Sequence, residues 1–360
     1  MKNSFSMLPI GILIAGALAG QSSTKGGAAC DRACLETFVD QYMDALIAHD
    51  PKKLPMTTRV KNTEDGVRLY PGDGFWRTAL AKGSYRLFVT DPEAGQVAFL
   101  GTMREVNAPM PNPVIIAIRL KIENRQISEI ENMVVRDAQA ATSLEKWGAP
   151  DSVFLEAIPA AQGTSRAELV RVANLYLSAL EKNDGKRIPA FADDCQRIQN
   201  GVQTTNNPDA AAQMAPPPAR GGRGGRGGPG KQPPAPPKPQ GLQINITAMG
   251  CAEQFKLGYF NFIRRVRDRR FVGIDRERGL VMVIAEADEP AGKYATFKLA
   301  DGREITTGPI RPTTVAMFEA YKIEGGKIRR IEEIQHEVPY GMLSGWSSYE
   351  DGMSSKARIQ

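Results

Sequence analysis

Two stretches of the chain place apolar side chains at helical spacing, and they do so in the same order. Leu35, Phe38, Tyr42, Met43 and Leu46 recur at i, i+3, i+7, i+8 and i+11, followed by Asp50. At an offset of 134 residues the pattern returns as Leu169, Val172, Tyr176, Leu177, Leu180 and Asp184. This spacing gathers the apolar groups on one face and predicts two amphipathic helices, each needing a sheet or another helix to cover. Asp31 is placed to cap the first, and Ser165 with Glu168 reads as a capping box for the second. Further on, Glu64-Asp65-Gly66-Val67 answers Gln199-Asn200-Gly201-Val202, where Gly after Asp or Asn marks a hairpin turn. FVTDPEAGQV from Phe88 answers FVGIDRERGLV from Phe271, and Lys121-Ile122-Glu123 with Ile127, Ile130 and Glu131 answers Lys322-Ile323-Glu324 with Ile328, Ile331 and Glu332. The offset grows from 134 to 135, 184 and 201, so the second copy holds about 49 extra residues in its middle and about 17 later. The chain is a duplication with insertions.

Each copy reads as a helix, a short irregular segment and several antiparallel strands with Gly-containing turns. The economical fold is α+β, one helix packed in the concavity of a curved antiparallel sheet, present twice in tandem. The domains span residues 30–137 and 165–338, with a connector at 138–164 and a C-terminal tail at 339–360. Within the second, 204–242 reads as a disordered insertion, because its centre, MAPPPARGGRGGRGGPGKQPPAPPKPQ at 214–240, cannot supply a core. Literal matches there to GxGxxG and GxxxxGK are products of composition, since no strand precedes them and no helix follows.

Lys2 and the apolar run 7–19, ending Ala17-Leu18-Ala19, form a signal peptide at 1–19. The run is shorter than the roughly 20 residues that cross a bilayer, so no stable membrane insertion is expected. The predicted location is secreted or periplasmic. There, four cysteines suit two disulfides, Cys30 with Cys34 and Cys195 with Cys251. Asp31 as N-cap leaves Cys30 outside the helix and free to fold back onto Cys34. A metal site lacks partners, because the chain has only 2 histidines and no Cys-x-x-Cys. The formal charge of +6 is concentrated in the Pro/Gly-rich stretch, which holds Arg220, Arg223, Arg226, Lys231 and Lys238. No basic face is left to bind nucleic acid.

The helix followed by Asp-x-x-x-Leu at Asp50 to Leu54, the Asp-Gly and Asn-Gly turns and the terminal KIExxxIxxIE strand resemble the SnoaL-like branch of the nuclear transport factor 2-like superfamily. CDRACL at Cys30, GDGFWRT at Gly72, IQNGVQTTNNP at Ile198, RDRRF at Arg267 and HEVPYGMLSGW at His336 are similar to a family of secreted fungal and bacterial proteins with two such domains and no assigned function. The resemblance implies cone-shaped domains with a pocket. Its enzymes include ketosteroid isomerases, polyketide cyclases, dehydratases and epoxide hydrolases, while many relatives only bind or dimerise. None of their catalytic dyads maps onto a spacing found here.

Cofactor-free chemistry in such a cone uses a carboxylate or histidine of shifted pKa with a nearby donor. His336 is the candidate base and Tyr340 the candidate donor, with Glu333, Glu337 and Trp346 around them. The plainer reading makes His336 a strand-end residue and lets Tyr340 and Trp346 seal a domain interface. Trp76, Arg77 and Trp346 are candidate ligand contacts, an Arg beside an aromatic suiting a carboxylate or planar ligand. A Trp covering the open end of the sheet would read the same way. His49 stands at a helix C-terminus, where capping is expected. Glu131 and its equivalent Glu332 are candidate buried carboxylates. Together these describe a cofactor-independent acid/base enzyme of isomerase, cyclase or lyase type acting on an apolar small molecule. The alternative is a noncatalytic ligand-binding or protein-interaction scaffold. Because the duplicated domains can pair within one chain, a monomer is expected.

Overall fold

In the computed structural model, residues 1, 30–106, 111–210, 213 and 244–360 are described. The expected signal peptide beyond Met1 and the stretch 214–240 lie outside the described residues. Helix α1 (Arg32–Ile47) starts where the Asp31 carboxylate accepts the Cys34 amide at 2.9 Å, and it buries Leu35, Phe38, Tyr42, Met43 and Leu46. The strands that follow are β1 (Met56–Glu64), β2 (Val67–Arg68), β3 (Ala79–Asp91), β4 (Gln96–Glu105), β5 (Asn112–Glu123) and β6 (Gln126–Val135). They form one sheet in the order β2-β1-β6-β5-β4-β3. Two short helices, α2 (Ala138–Lys146) and α3 (Ser152–Leu155), occupy the connector.

The second unit repeats this order. Helix α4 (Arg166–Leu180) is followed by β7 (Phe191–Gln199), β8 (Val202–Gln203), the helix Cys251–Leu257, β9 (Arg265–Asp275) and β10 (Leu280–Glu289). A small hairpin, β11 (Thr296–Lys298) with β12 (Glu304–Thr306), precedes β13 (Thr313–Glu324) and β14 (Lys327–Pro339). That hairpin occupies the later insertion read from the offsets. The tail adds β15 (Arg358–Ile359), giving the sheet order β15-β9-β10-β13-β14-β7-β8.

Three local readings need adjustment. The sheets are not wholly antiparallel, because β1 runs parallel to β6 and β7 parallel to β14. The strand after each helix crosses to lie beside the last strand of its unit, and alternation along a strand carries no information about its partner's direction. Glu168 does not complete the capping box: its amide bonds Ser165 Oγ at 3.2 Å, but its carboxylate takes Arg171 at 2.6 and 2.7 Å. Residues 204–210, placed by composition in the disordered insertion, are held by backbone bonds from Asn206 to Met249 and from Asn207 to Thr247, with Thr205 and Ala210 buried.

Both disulfides have the expected pairing, with Cα separations of 5.3 Å for Cys30–Cys34 and 6.0 Å for Cys195–Cys251. Each sheet bears its helix on one face, over apolar clusters that include Val97, Phe99, Ile116 and Ile118 in the first unit and Val281, Val283, Met317 and Tyr321 in the second. The opposite faces pack on each other through Leu87, Leu100, Ile115, Met282, Phe318 and Ile334. The central strands are thus covered on both sides, which is why β5 reads as the unbroken apolar run Val114 to Ile118.

Candidate functional site

The sequence-predicted residues fall into two places. Trp76 is buried against α1, its ring meeting Tyr42 edge-on at 5.4 Å, so it closes the first unit's core. Arg77 turns away, 71% exposed and paired with Asp73 at 2.7 Å. His49 has φ +52° and bonds the Trp76 carbonyl through Nδ1 at 2.6 Å.

His336 and Trp346 belong to the seam between the units, while Tyr340 lies in the turn after β14. His336 is opposite Ala316 on β13 and brings Nε2 to 3.6 Å from Asp65 of the first unit. Trp346 donates its indole N–H to Thr63 at 2.8 Å, with Lys61 Nζ 4.0 Å from the ring centroid. Tyr340 is 48% exposed. A cavity of about 20 Å³ lies in this seam among Asp65, Glu131, Arg270, Glu286 and Met342, room for a single water. Glu131 is buried there and takes both Arg270 amino groups at 2.5 and 2.9 Å. Its equivalent Glu332 is buried under Tyr85, whose hydroxyl donates at 2.5 Å. Burial pushes the Glu332 carboxyl up to about 7, the Tyr85 bond only partly opposing it.

A different group of side chains converges beneath α4. Glu319 and Tyr321 stand two residues apart on β13 and share the helix-facing side, where the Tyr321 hydroxyl bonds the Glu319 carboxyl. Tyr176 of α4 aims its hydroxyl at the same carboxyl, with its ring 5.3 Å from that of Tyr321. Directly across the ladder from Glu319 is Glu333 on β14, which pairs with Arg197 of β7. Arg197 keeps 12% of its side chain exposed and connects the cluster to the surface. At the end of β10, Glu289 extends the acidic group toward Glu333 and Glu337. Burial, and then the Glu333 charge, push Glu319 up to about 8, while Arg197 pulls the other way. Burial with Glu337 and Glu333 nearby takes Glu289 to about 7. One fully buried carboxyl is thus protonated at neutral pH beside one that holds an arginine.

The first unit shows what these positions look like without charge. The rung Glu319 to Glu333 corresponds to Ile118 to Asn132, and the rung Arg197 to Ile331 corresponds to Asn62 to Ile130. Tyr176 corresponds to Tyr42, whose hydroxyl accepts from Asn132 at 2.5 Å. The uncharged Ile, Leu, Asn and Asn of one copy have become Glu, Tyr, Glu and Arg in the other. The signal lay in the repeat itself, since the offsets of 135 and 201 set Asn62 against Arg197, Ile118 against Glu319, Leu120 against Tyr321 and Asn132 against Glu333.

A family model described as Domain of unknown function (DUF8021) matches residues 28–134 and 162–335, the two helix-and-sheet units. The chain belongs to the DUF8021 family. No curated protein and no solved structure matches this DUF8021 chain. Among its described residues no helix is long and apolar enough to cross a membrane, and no group of three or more His, Cys, Asp and Glu side chains is placed to hold a metal ion.

Proposed function

We propose that this DUF8021 protein is exported and built from two SnoaL-like cones, and that the second cone performs acid/base chemistry on an apolar small molecule while the first is structural. The carrying observation is the asymmetry between copies: Glu319, Tyr321, Glu333 and Arg197 replace Ile118, Leu120, Asn132 and Asn62 at matched rungs. Burying four such groups costs stability unless they are used or fully paired. A carboxyl that holds its proton, Glu319, beside one that holds an arginine, Glu333, suits an acid and a base. In this reading Glu333, oriented by Arg197, takes a proton from carbon next to a carbonyl, and the Tyr321–Glu319 pair donates a hydrogen bond to the oxygen on which charge develops. His336 then belongs to the seam, with Nε2 3.6 Å from Asp65, rather than acting as the base.

The test is mass-spectrometric profiling of a host culture extract incubated with the protein, Glu319→Gln, His336→Ala and a boiled control. A metabolite converted by the parent and His336→Ala but not by Glu319→Gln supports the second cone. Loss in His336→Ala alone moves the site to the seam. The scaffold reading is favoured by the filled first unit, with Trp76 and Tyr42 buried in its core, and by the apolar seam. It predicts depletion without product, or no change at all.

A further inference from the structure

Outside both regions, an open groove runs between α2 and the turn joining β7 to β8. It has two adjoining lobes of about 880 and 540 Å³ that share Gln139, Ser143 and Gln213. The larger lobe is walled by amides and hydroxyls, with Lys146 its one cationic side chain and no carboxylate. Trp147 forms one side, 41% exposed, its indole N–H tied to the Gly201 carbonyl at 2.9 Å. We propose that this groove binds a neutral glycan chain.

The chemistry of the wall selects the ligand. Gln203 spends one amide N–H on the Thr205 carbonyl at 2.8 Å, and Asn206 spends one on the Cys195 carbonyl at 3.3 Å. Thr142 donates its hydroxyl to the Ala138 carbonyl at 2.7 Å. Each amide keeps its oxygen and one N–H, and Thr142 keeps its oxygen as an acceptor, so the wall suits a ligand that brings donors as well as acceptors. Phosphate, sulfate and carboxylate bring only acceptors, leave the wall oxygens unpaired and meet one lysine in the larger lobe, while Arg136 of the smaller lobe is already paired with Glu105 at 2.9 Å. An apolar molecule would strip water from the same oxygens and return nothing. Sugar hydroxyls supply the donors, and the C–H face of a pyranose ring fits flat on the half-exposed indole. The β7–β8 turn is also seated tightly on α2. Gly201, at φ +80°, sits so close under α2 that an added Cβ would be 2.4 Å from the Leu144 nitrogen. A groove held this way loses little freedom on binding.

The full chain would be titrated calorimetrically with cellohexaose, xylohexaose, mannohexaose, laminarihexaose and chitohexaose, and incubated in parallel with insoluble cellulose, chitin and β-glucan. The expected result is binding in at least one arm, the soluble arm indicating free oligosaccharide and the insoluble arm a wall polymer. Trp147→Ala should weaken binding about tenfold or more, and Trp147→Phe should retain most of it. Ser143→Arg, at a position that lines both lobes one turn before Trp147 and takes no part in the Trp147 hydrogen bond, should abolish binding with an unchanged circular dichroism spectrum. The proposal is overturned if no probe binds in either arm, or if Trp147→Ala and Ser143→Arg leave binding intact. Retention of dextran sulfate in place of the neutral probes, released by salt, would overturn it as well.

Discussion

Glu319 and Glu333 face each other across one rung of a ladder, where two negative charges would repel. The arrangement is tolerable because Glu319 holds its proton to about pH 8, sheltered from water and faced by the Glu333 charge, with Arg197 and the Tyr321 bond only partly opposing them. A carboxyl whose folded pKa is raised contributes stability that is fully present below its unfolded value near 4.5 and is lost as pH rises through about 8. Glu319→Gln keeps the shape and cannot ionise. It is expected to be about 1–3 kcal/mol more stable than the parent at pH 9 and close to it at pH 4, read from urea midpoints at both pH values. Equal midpoints at pH 9 would mean that Glu319 is charged in the fold. None of this was visible from residue type. His336 and Tyr340 stand out as rare or aromatic groups in the sequence, but the strand position of His336 turns it to the seam, and Tyr340 lies exposed in the turn after β14. Which residues face one another across a rung depends on register, and the bulges between Lys322 and Ile323 and between Ile328 and Arg330 displace it.

The helices, caps and hairpin turns were legible because their signals are local. Asp65-Gly66 and Asn200-Gly201 both take positive φ at both residues, as the Asp-Gly and Asn-Gly pairs foretell. The pairing of β1 with β6 and of β7 with β14 was not legible, being decided by covering a central edge rather than by any neighbouring residue. The two turns are also unequal in their surroundings. A Cβ on Gly201 would strike the Leu144 backbone, whereas one on Gly66 would meet the flexible end of Met342 at 3.1 Å and the Leu343 carbonyl at 3.2 Å. Gly201→Ala is therefore expected to cost about 2–4 kcal/mol and Gly66→Ala less, measured as shifts in denaturant midpoint. Equal costs would mean that φ alone, and not the seat of α2, sets the penalty. Holding the base of the inserted stretch is a second element-level task. The Cys195–Cys251 bridge spans 56 residues, and replacing both cysteines by serine should cost about 4 kcal/mol on the chain-entropy estimate.

At the scale of the molecule the two units meet by a rule that symmetric dimers obey, in which residue i touches j and j touches i. Arg32 of α1 reaches Asp275 at 2.7 and 2.8 Å, and its equivalent Arg166 of α4 reaches Asp91 at 2.7 and 2.8 Å. Glu277 and Glu93 take the same arginines in turn. The repeat offsets had already matched Asp91 with Asp275, although nothing in them said that the pair would cross the seam. Both contacts being made within one chain, sedimentation should give the mass of one chain.

Asp91→Asn and Asp275→Asn should each cost about 2–3 kcal/mol, because each strands a half-buried arginine and weakens backbone anchors at Ile274 or Arg278. If the units are one cooperative body, both variants will unfold in a single transition with midpoints displaced alike. A second transition in either would show that the seam is weaker than the cores. The seam also ties this interface to pH. Burial takes Glu286 to about 8 and Glu332 to about 7, both on strands that face the first unit, and Glu319 and Glu289 rise with them in the second. All four favour the fold while protonated and oppose it as they ionise. Asp288, held low by Arg267 and Thr314 against its burial, acts in the other direction and loses its contribution only as pH falls below about 4. Stability should therefore peak near pH 5 and decline toward pH 8, and Glu332→Gln should remove up to about 3 kcal/mol of that decline. A melting temperature that rises from pH 5 to pH 8 would mean that water reaches these carboxyls and that the seam is open.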